Sequence, residues 1–408
     1  MKISRRHLLQ SAAGLGLTAS FPSKAANDSE RKFLFVFCEG GWDQCHLFAP
    51  LWSNPNIDME EGSELGHIGG IDFVDSAAKP SVREFLNQYA SRTCFINGLG
   101  VRSLAHETCL RLMYAGTANP SCNDWASMIG GHARGNYLMP MVTLSGPNFV
   151  LDYTSAVSRV GANAQLADLF DPEVFTQGSV DEMEDSWLQE LNNAQTSHGS
   201  RHEHLRNLAI RSEEALQSIQ NLRHTLDFSF ADDPLAANSL YQDLSIAISL
   251  LRSGTSRCVS LKDKGWQGLG YDTHAANYIQ ASNIQSLFDA LYTLYRNLEI
   301  SDPQLYDNLT IVMLSEMGRF PKINSRDGKT HWMHTSAILI GSGVQGGQCI
   351  GAYDNDCYSQ PVVPTTGEIH SSGTYLLPSN LGATLMHLAD VDMPENLLDY
   401  EPLWTALS

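Results

Sequence analysis

The sequence predicts an α/β protein with a mostly parallel central sheet and helices on both faces. Three observations point there. Short apolar runs rich in β-branched and aromatic residues recur along the chain: KFLFVFC at 32–38, RCVSL at 257–261 and LTIVML at 309–314. Runs of that length, apolar on both faces, suit central parallel strands. Stretches of helical period alternate with them, the signature of βαβ wiring. Acids and histidines follow the runs, where open α/β sheets place their ligands.

The chain has 408 residues, of which 43% are hydrophobic and 17% charged. That composition is ordinary for a soluble globular protein, and the length is enough to bury a core without covalent staples. Residues 1–26 stand apart. Ser4-Arg5-Arg6 precedes a modest apolar stretch, and Ser23-Lys24-Ala25-Ala26 closes it with small residues. Paired arginines, a weakly apolar core and a small-residue cleavage site read as a twin-arginine signal. The chain is therefore expected to use the twin-arginine translocase and to work in the periplasm. A formal charge of −19 repels nucleic acid and anionic lipid. No later segment is apolar for long enough to hold the mature protein in a membrane.

The first strand, 32–38, runs into Glu39-Gly40-Gly41-Trp42-Asp43. Two carboxylates flanking a glycine pair at a strand end make Glu39 and Asp43 candidate metal ligands. Residues 51–80 are polar and Gly-rich and read as a long loop. A short helix is expected over 82–89 and a strand over 94–96. His106 then opens a helix that stops near Gly116. Its place between strand and helix suits a nucleophile or an acid–base group. Another helix follows at 124–129, capped by Asn123 or Asp124, and a strand at 141–144.

From 163 to 253 the chain turns polar, helical and poor in glycine, which reads as a helical insertion lying over the sheet. Its last helix, 239–251, presents Leu240, Leu244, Ile246, Ile248, Leu250 and Leu251 to a core. His198, His202 and His204 fall on a solvated helix face. After the strand at 257–261 come Asp272 and His274, two apart, able to meet one divalent ion together. An amphipathic helix spans 284–298. The strand at 309–314 ends in Ser315-Glu316, then Gly318-Arg319. His331 and His334 stand just before the apolar strand 336–340, and a final helix covers 380–388.

Strand ends thus gather Glu39, Asp43, His106, Asp272, His274, Glu316, Arg319, His331 and His334. Mixed carboxylate and imidazole ligands favour zinc or manganese, while an all-oxygen set would take calcium or magnesium. Arg319 offers a guanidinium fork for an oxyanion. The chain has eight cysteines and no CxxC pair, so a zinc knuckle is not expected. Cys349 and Cys357 are near enough in sequence to close a small disulfide loop.

These motifs together carry a family resemblance. The twin-arginine start, FCEGGWD at 37–43, AHET at 105–108, GYDTH at 270–274, SEMGR at 315–319 and the run from THW at 330–332 to the glycine pair at 346–347 resemble a bacterial exported family known as domain of unknown function 1501. That family is grouped with the alkaline phosphatase and sulfatase superfamily. The resemblance spans nearly the whole mature chain. It implies an alkaline-phosphatase-like fold and a metal-dependent hydrolase of phosphate, sulfate or related esters, acting on a small-molecule or polymer substrate. It puts Glu39 at the place of the first acidic ligand and His106 at the place of the nucleophile, ten residues before Gly116. Asp272 with His274, Ser315-Glu316 and His334-Thr335 fall at later ligand places. The chain departs from the superfamily in three positions. His106 replaces a Ser, Thr or Cys nucleophile, Ser315-Glu316 replaces an Asp-His pair, and Thr330 stands where the family has Asp. Those departures also suit a non-catalytic binding or accessory protein on the same fold.

Overall fold

The computed structural model describes residues 30–160 and 238–408. The signal at 1–26 and most of the insertion, with His198, His202 and His204, lie outside the described residues. In chain order the strands are β1 (Lys32–Cys38), β2 (Glu64–Ile68), β3 (Ile71–Asp75), β4 (Thr93–Gly100), β5 (Met141–Thr143), β6 (Val157–Arg159), β7 (Cys258–Asp263), β8 (Leu309–Leu314), β9 (Gly318–Arg319), β10 (His331–Trp332), β11 (His334–Gly341) and β12 (Gln348–Ile350). The α-helices are α1 (Pro80–Tyr89), α2 (His106–Ala115), α3 (Trp125–Gly131), α4 (Ser239–Arg252), α5 (Ile279–Ser301), α6 (Pro303–Asn308) and α7 (Pro378–Leu388).

Eight strands form the central sheet in the order β12-β4-β11-β8-β1-β7-β5-β6. The strands pair in parallel except β11, which runs against both β4 and β8. β1 lies between β7 and β8, with Phe33 opposite Cys258 on one side and Thr310 on the other. Its alternating side chains explain the two layers. Phe33, Phe35 and Phe37 pack with Cys109 of α2, Trp125 of α3 and Leu381 of α7. Leu34, Val36 and Cys38 point the other way, into the core that holds Phe85 of α1, Leu244 of α4 and Leu287 of α5. The expected fold, a mostly parallel sheet covered on both faces, is what the chain adopts.

The helix ends follow local chemistry. Asp124 caps α3 by accepting from the Ser127 amide at 2.6 Å. Gly116 ends α2 in the left-handed conformation, φ +68°, that glycine adopts without strain. In α4 all six predicted apolar residues are buried.

Three expectations change. The loop expected over 51–80 contains the β2–β3 hairpin, turned by Gly69 and Gly70, both at positive φ. The polar stretch before β11 contains a two-residue ribbon, β9 against β10. The Cys349–Cys357 loop is not closed. All eight cysteines are free, Cys349 on β12 and Cys357 buried where it accepts from Gln44 Nε2 at 3.2 Å. No helix among the described residues is long and apolar enough to cross a membrane.

Candidate metal centre

The carboxyl ends of β1, β4, β7 and β8 open on one edge of the sheet. Because β11 runs backwards, its amino end lies on that same edge, and the histidines just before it arrive beside the other strand ends. Five strand ends meet there.

At the centre is Asp272 Oδ1. Three imidazole Nε2 atoms surround it: His274 at 3.3 Å, His106 at 3.6 Å and His331 at 3.6 Å. Ligands about 2.0–2.1 Å from a zinc ion stand roughly 3.3 Å apart in a tetrahedron, so these separations suit atoms sharing one cation. Single ligand atoms of His106, Asp272 and His331 all lie within 4.8 Å of one another. The Nε2 atoms of His274 and His331 are 2.8 Å apart, so they share a proton or take a cation between them.

The ring orientations are fixed from behind. His331 Nδ1 donates to the Leu104 carbonyl at 2.6 Å, which leaves its Nε2 lone pair facing the centre. His106 Nδ1 lies 2.9 Å from Glu316 Oε1 and is fixed in the same sense. Carbonyl or carboxylate partners of this kind are how ligating imidazoles are normally oriented. Glu316 is buried and held in turn by the Gly40 amide, at 2.9 and 3.1 Å to its two oxygens, while the Ser315 hydroxyl beside it ties this segment to the Cys38 carbonyl at 2.8 Å.

Gly40 is glycine for a steric reason. Its φ is +116°, and a Cβ there would stand 2.3 Å from the Asp272 amide nitrogen. The end of β1 and the 271–272 turn can approach this closely only without a side chain.

Electrostatics follow from the contacts. The Asp272 and Glu316 carboxylates push the His106 imidazole up to about 9. Burial pushes the Asp272 carboxyl up, but His106 and Arg319 outweigh it and hold the group well below its ordinary range. Burial lowers His274, against the pull of Asp272.

The predicted site residues therefore divide. His106, Asp272, His274 and His331 meet, with Glu316 and Arg319 behind them. Arg319 differs from its expected role as an oxyanion clamp. It is fully buried, and its donors go to the carbonyls of Gly40, Gly41 (2.9 Å) and Lys329 (3.3 Å) and to Asp272 Oδ1 (2.5 Å). With its fork used on backbone, it braces Asp272. Glu316 is likewise a brace for His106, not a residue facing the centre.

Three candidates fall elsewhere. Glu39 turns outward, half exposed, to Lys262 Nζ at 2.7 Å. Asp43 is fully buried and saturated by Lys329 Nζ (2.8 Å), His46 Nδ1 (3.0 Å), Asn277 Nδ2 (2.8 Å) and the Cys45 amide (2.9 Å). Its oxygens have no room for a metal ion. His334 lies on the opposite side of the strand ends, with its ring against Trp332 and Tyr358.

The supports contributed by Gly40, Ser315 and Leu104 were not predicted. Two act through backbone groups, which sequence does not distinguish. The Gly40-Gly41 pair was the one visible signal of a close approach.

Fold and site together define an α/β protein with a candidate metal centre at the carboxyl edge of a mostly parallel sheet. The family described as protein of unknown function (DUF1501) matches residues 30–401, and the chain belongs to it. No curated protein sequence matches the chain. Among solved structures it is similar to a protein in the alkaline phosphatase superfamily from Vibrio parahaemolyticus, at 10% identity and TM-score 0.41, covering 100% of this chain and 80% of that one. It is similar to the PsFucS1 sulfatase from Pseudoalteromonas sp., at 9% identity and TM-score 0.42, covering 100% and 76%. It is also similar to the lipoteichoic acid synthase LtaP from Listeria monocytogenes, at 9% identity and TM-score 0.41, covering 98% and 82%. Likeness at this level assigns neither activity nor ligand to this chain.

Proposed function

We propose that this protein is an exported, metal-dependent hydrolase of phosphate, sulfate or related esters that works in the periplasm. The observation that carries it is the convergence of three imidazole nitrogens on Asp272 Oδ1 at 3.3–3.6 Å. The order of motifs along the chain supports the ester class. A donor set of imidazoles and one carboxylate favours zinc, with manganese next.

In this reading Asp272, His274 and His331 hold the ion. Three protein ligands leave a position open, as catalytic zinc sites do. When bound, the ion would polarise the ester and neutralise charge developing on it. The remaining work falls to the chain's own groups. His106 stands beside the ion's place with its Nε2 turned toward Asp272, positioned to act as acid or base toward the ester. Glu316 keeps that imidazole aimed by holding Nδ1. Arg319 keeps Asp272 in place and ionised. Leu104 fixes the ring of His331.

A second reading rests on one distance. His106 Nε2 stands as far from Asp272 Oδ1 as His331 Nε2 does, 3.6 Å each. With His106 taken as a ligand beside Asp272 and His331, the three whose ligand atoms all lie within 4.8 Å of one another, the imidazole assigned to proton transfer is spent on the ion, the set is closed to catalysis, and the protein is a non-catalytic binding factor.

Two variants separate these readings. Metal content of purified protein and turnover of aryl phosphate and aryl sulfate esters are measured together. Asp272→Ala is expected to lose both metal and turnover. His106→Ala is expected to keep the metal and lose turnover by about 10²–10⁴-fold, the usual contribution of a positioned acid. Loss of metal in His106→Ala, with no turnover in the parent, favours the closed set. Failure of the parent to bind stoichiometric metal under any loading condition refutes both.

A further inference from the structure

The β9–β10 ribbon has two faces. His331 and Arg319, paired across it, face the imidazole cluster. On the far side the aromatic rings of Phe320, Trp332 and Tyr358 stand in a row. Phe320 and Trp332 are 5.2 Å apart between centroids, and Trp332 and Tyr358 are 4.9 Å apart. His334 adjoins both Trp332, at 5.8 Å, and Tyr358, at 5.5 Å.

Two hollows open along this row and share Tyr358. One, of about 410 Å³, is lined by Arg102, His334, Asp354, Tyr358 and Tyr375 among others. The second, of about 360 Å³, is lined by Asn56, Phe320, Trp332, Asp356 and Tyr358 among others. Both are open hollows on the surface rather than enclosed cavities. Tyr358 is 45% exposed and Tyr375 54% exposed. Both rings line the larger hollow, and exposed apolar surface gathered in one place marks an interaction site.

The polar groups are placed to meet something as well. His334 Nδ1 is buried with no hydrogen-bond partner. A buried polar atom of this kind costs stability unless a ligand or water completes it. Arg102 sits exposed on the rim of the larger hollow in the left-handed region, φ +52°, and makes no ion pair or hydrogen bond among the described residues. Asp354 Oδ1 ties down the loop by accepting from the Asp356 and Tyr358 amides, both at 2.9 Å.

We propose that this groove binds an oligosaccharide, independently of the imidazole centre on the other face of the ribbon. The alternation of ring faces with polar groups carries the choice. A pyranose has an apolar C–H face that lies flat on an aromatic ring and a rim of hydroxyls that needs donors and acceptors beside it. Tyr375, Tyr358 and Phe320, all exposed, supply the faces, with Trp332 buried behind Tyr358 and Phe320. Arg102, His334, Asp354, Asn56 and Asp356 supply the rim. A lipid chain or an apolar helix would cover Arg102, Asp354, Asn56 and Asp356 without giving them partners. A formal charge of −19 disfavours a nucleic acid stacked on the same rings.

The groove also abuts the centre through one loop. Arg102 lines the hollow, and Leu104, two residues on, holds His331. A glycan seated in the groove therefore lies against the segment that orients a candidate metal ligand.

The test is a glycan array probed with the full-length exported protein, followed by titration of the tightest binder against intrinsic tryptophan fluorescence. Saturable binding is expected, with the signal change lost in Trp332→Phe. Tyr358→Ala and Tyr375→Ala are each expected to weaken binding about tenfold or more. Tyr375 lies at the exposed edge, so its variant serves if Tyr358→Ala fails to fold. Binding is expected to persist in Asp272→Ala and in the presence of chelator, which separates this proposal from the hydrolase reading. Absence of any bound glycan, or equal binding by both tyrosine variants and the parent, overturns it.

Discussion

Among single residues, Asp43 and Lys329 show how a sequence signal for a ligand turns out to be architecture. An acid beside a glycine pair at a strand end looks like a metal ligand, yet both partners here are fully buried and paired at 2.8 Å. Burial pushes the Asp43 carboxyl up, but Lys329 and His46 outweigh it and hold the group well below its ordinary value. A carboxyl depressed in the folded state contributes stability above its unfolded value, about pH 4, and loses it as pH falls through the folded value. Removing the cation alone strands a buried charge. Lys329→Met should therefore cost about 3–5 kcal/mol near pH 7, read as a lower urea midpoint. The deficit should shrink as pH drops below about 5, because the unpaired Asp43 can then take a proton. A deficit under about 1 kcal/mol at pH 7 would show that the pair carries no such weight.

At the scale of the element, legibility tracked burial and length. β1, β7, β8 and β11 were legible because strands covered on both faces carry unbroken apolar runs. α4 was legible through its spacing, and α3 through the Asp124 cap. The β9–β10 ribbon was not, because two residues per strand hold no period to read. β2–β3 was hidden in a polar stretch, although its Gly69-Gly70 turn is a hairpin signal that could have been taken. The candidate site was legible as residue types at strand ends. It was not legible as orientation, and so Glu39, Asp43 and His334 stood level with Asp272 and His331. What separates them is backbone placement. The β1 terminus shows this best, since Gly40 both clamps Glu316 and lets Asp272 come close. Gly40→Ala should lower the urea midpoint, because its Cβ must push the 271–272 turn away from β1, and metal affinity should drop about 10–100-fold or more as Asp272 moves with that turn. Unchanged affinity would mean that the Gly40 contact does not position the centre.

For the whole molecule, the decisive feature is β11, the single reversed strand of the central sheet among the described residues. Parallel strands alone bring β1, β4, β7 and β8 to one edge, but a parallel β11 would put the late histidines at the other end of the sheet. Reversal of β11 carries the preceding His331 to the same rim as Asp272, across 59 positions of sequence. A centre assembled from segments so far apart exists only in the folded chain, and so any ion it holds binds the native state alone. Binding then adds stability by mass action, about 2.7 kcal/mol when free metal stands at one hundred times its dissociation constant. Stripping the protein with chelator should lower its melting temperature by a few degrees, and zinc or manganese should restore it. Asp272→Ala should melt at one temperature with or without metal, because its centre lacks the oxygen on which the imidazoles converge. His334→Ala, on the far side of the ribbon, should respond to metal as the parent does. A parent without any metal-dependent shift would refute a metal centre altogether, whereas loss of the shift in His334→Ala with its retention in Asp272→Ala would show that the centre has been placed on the wrong side of the ribbon.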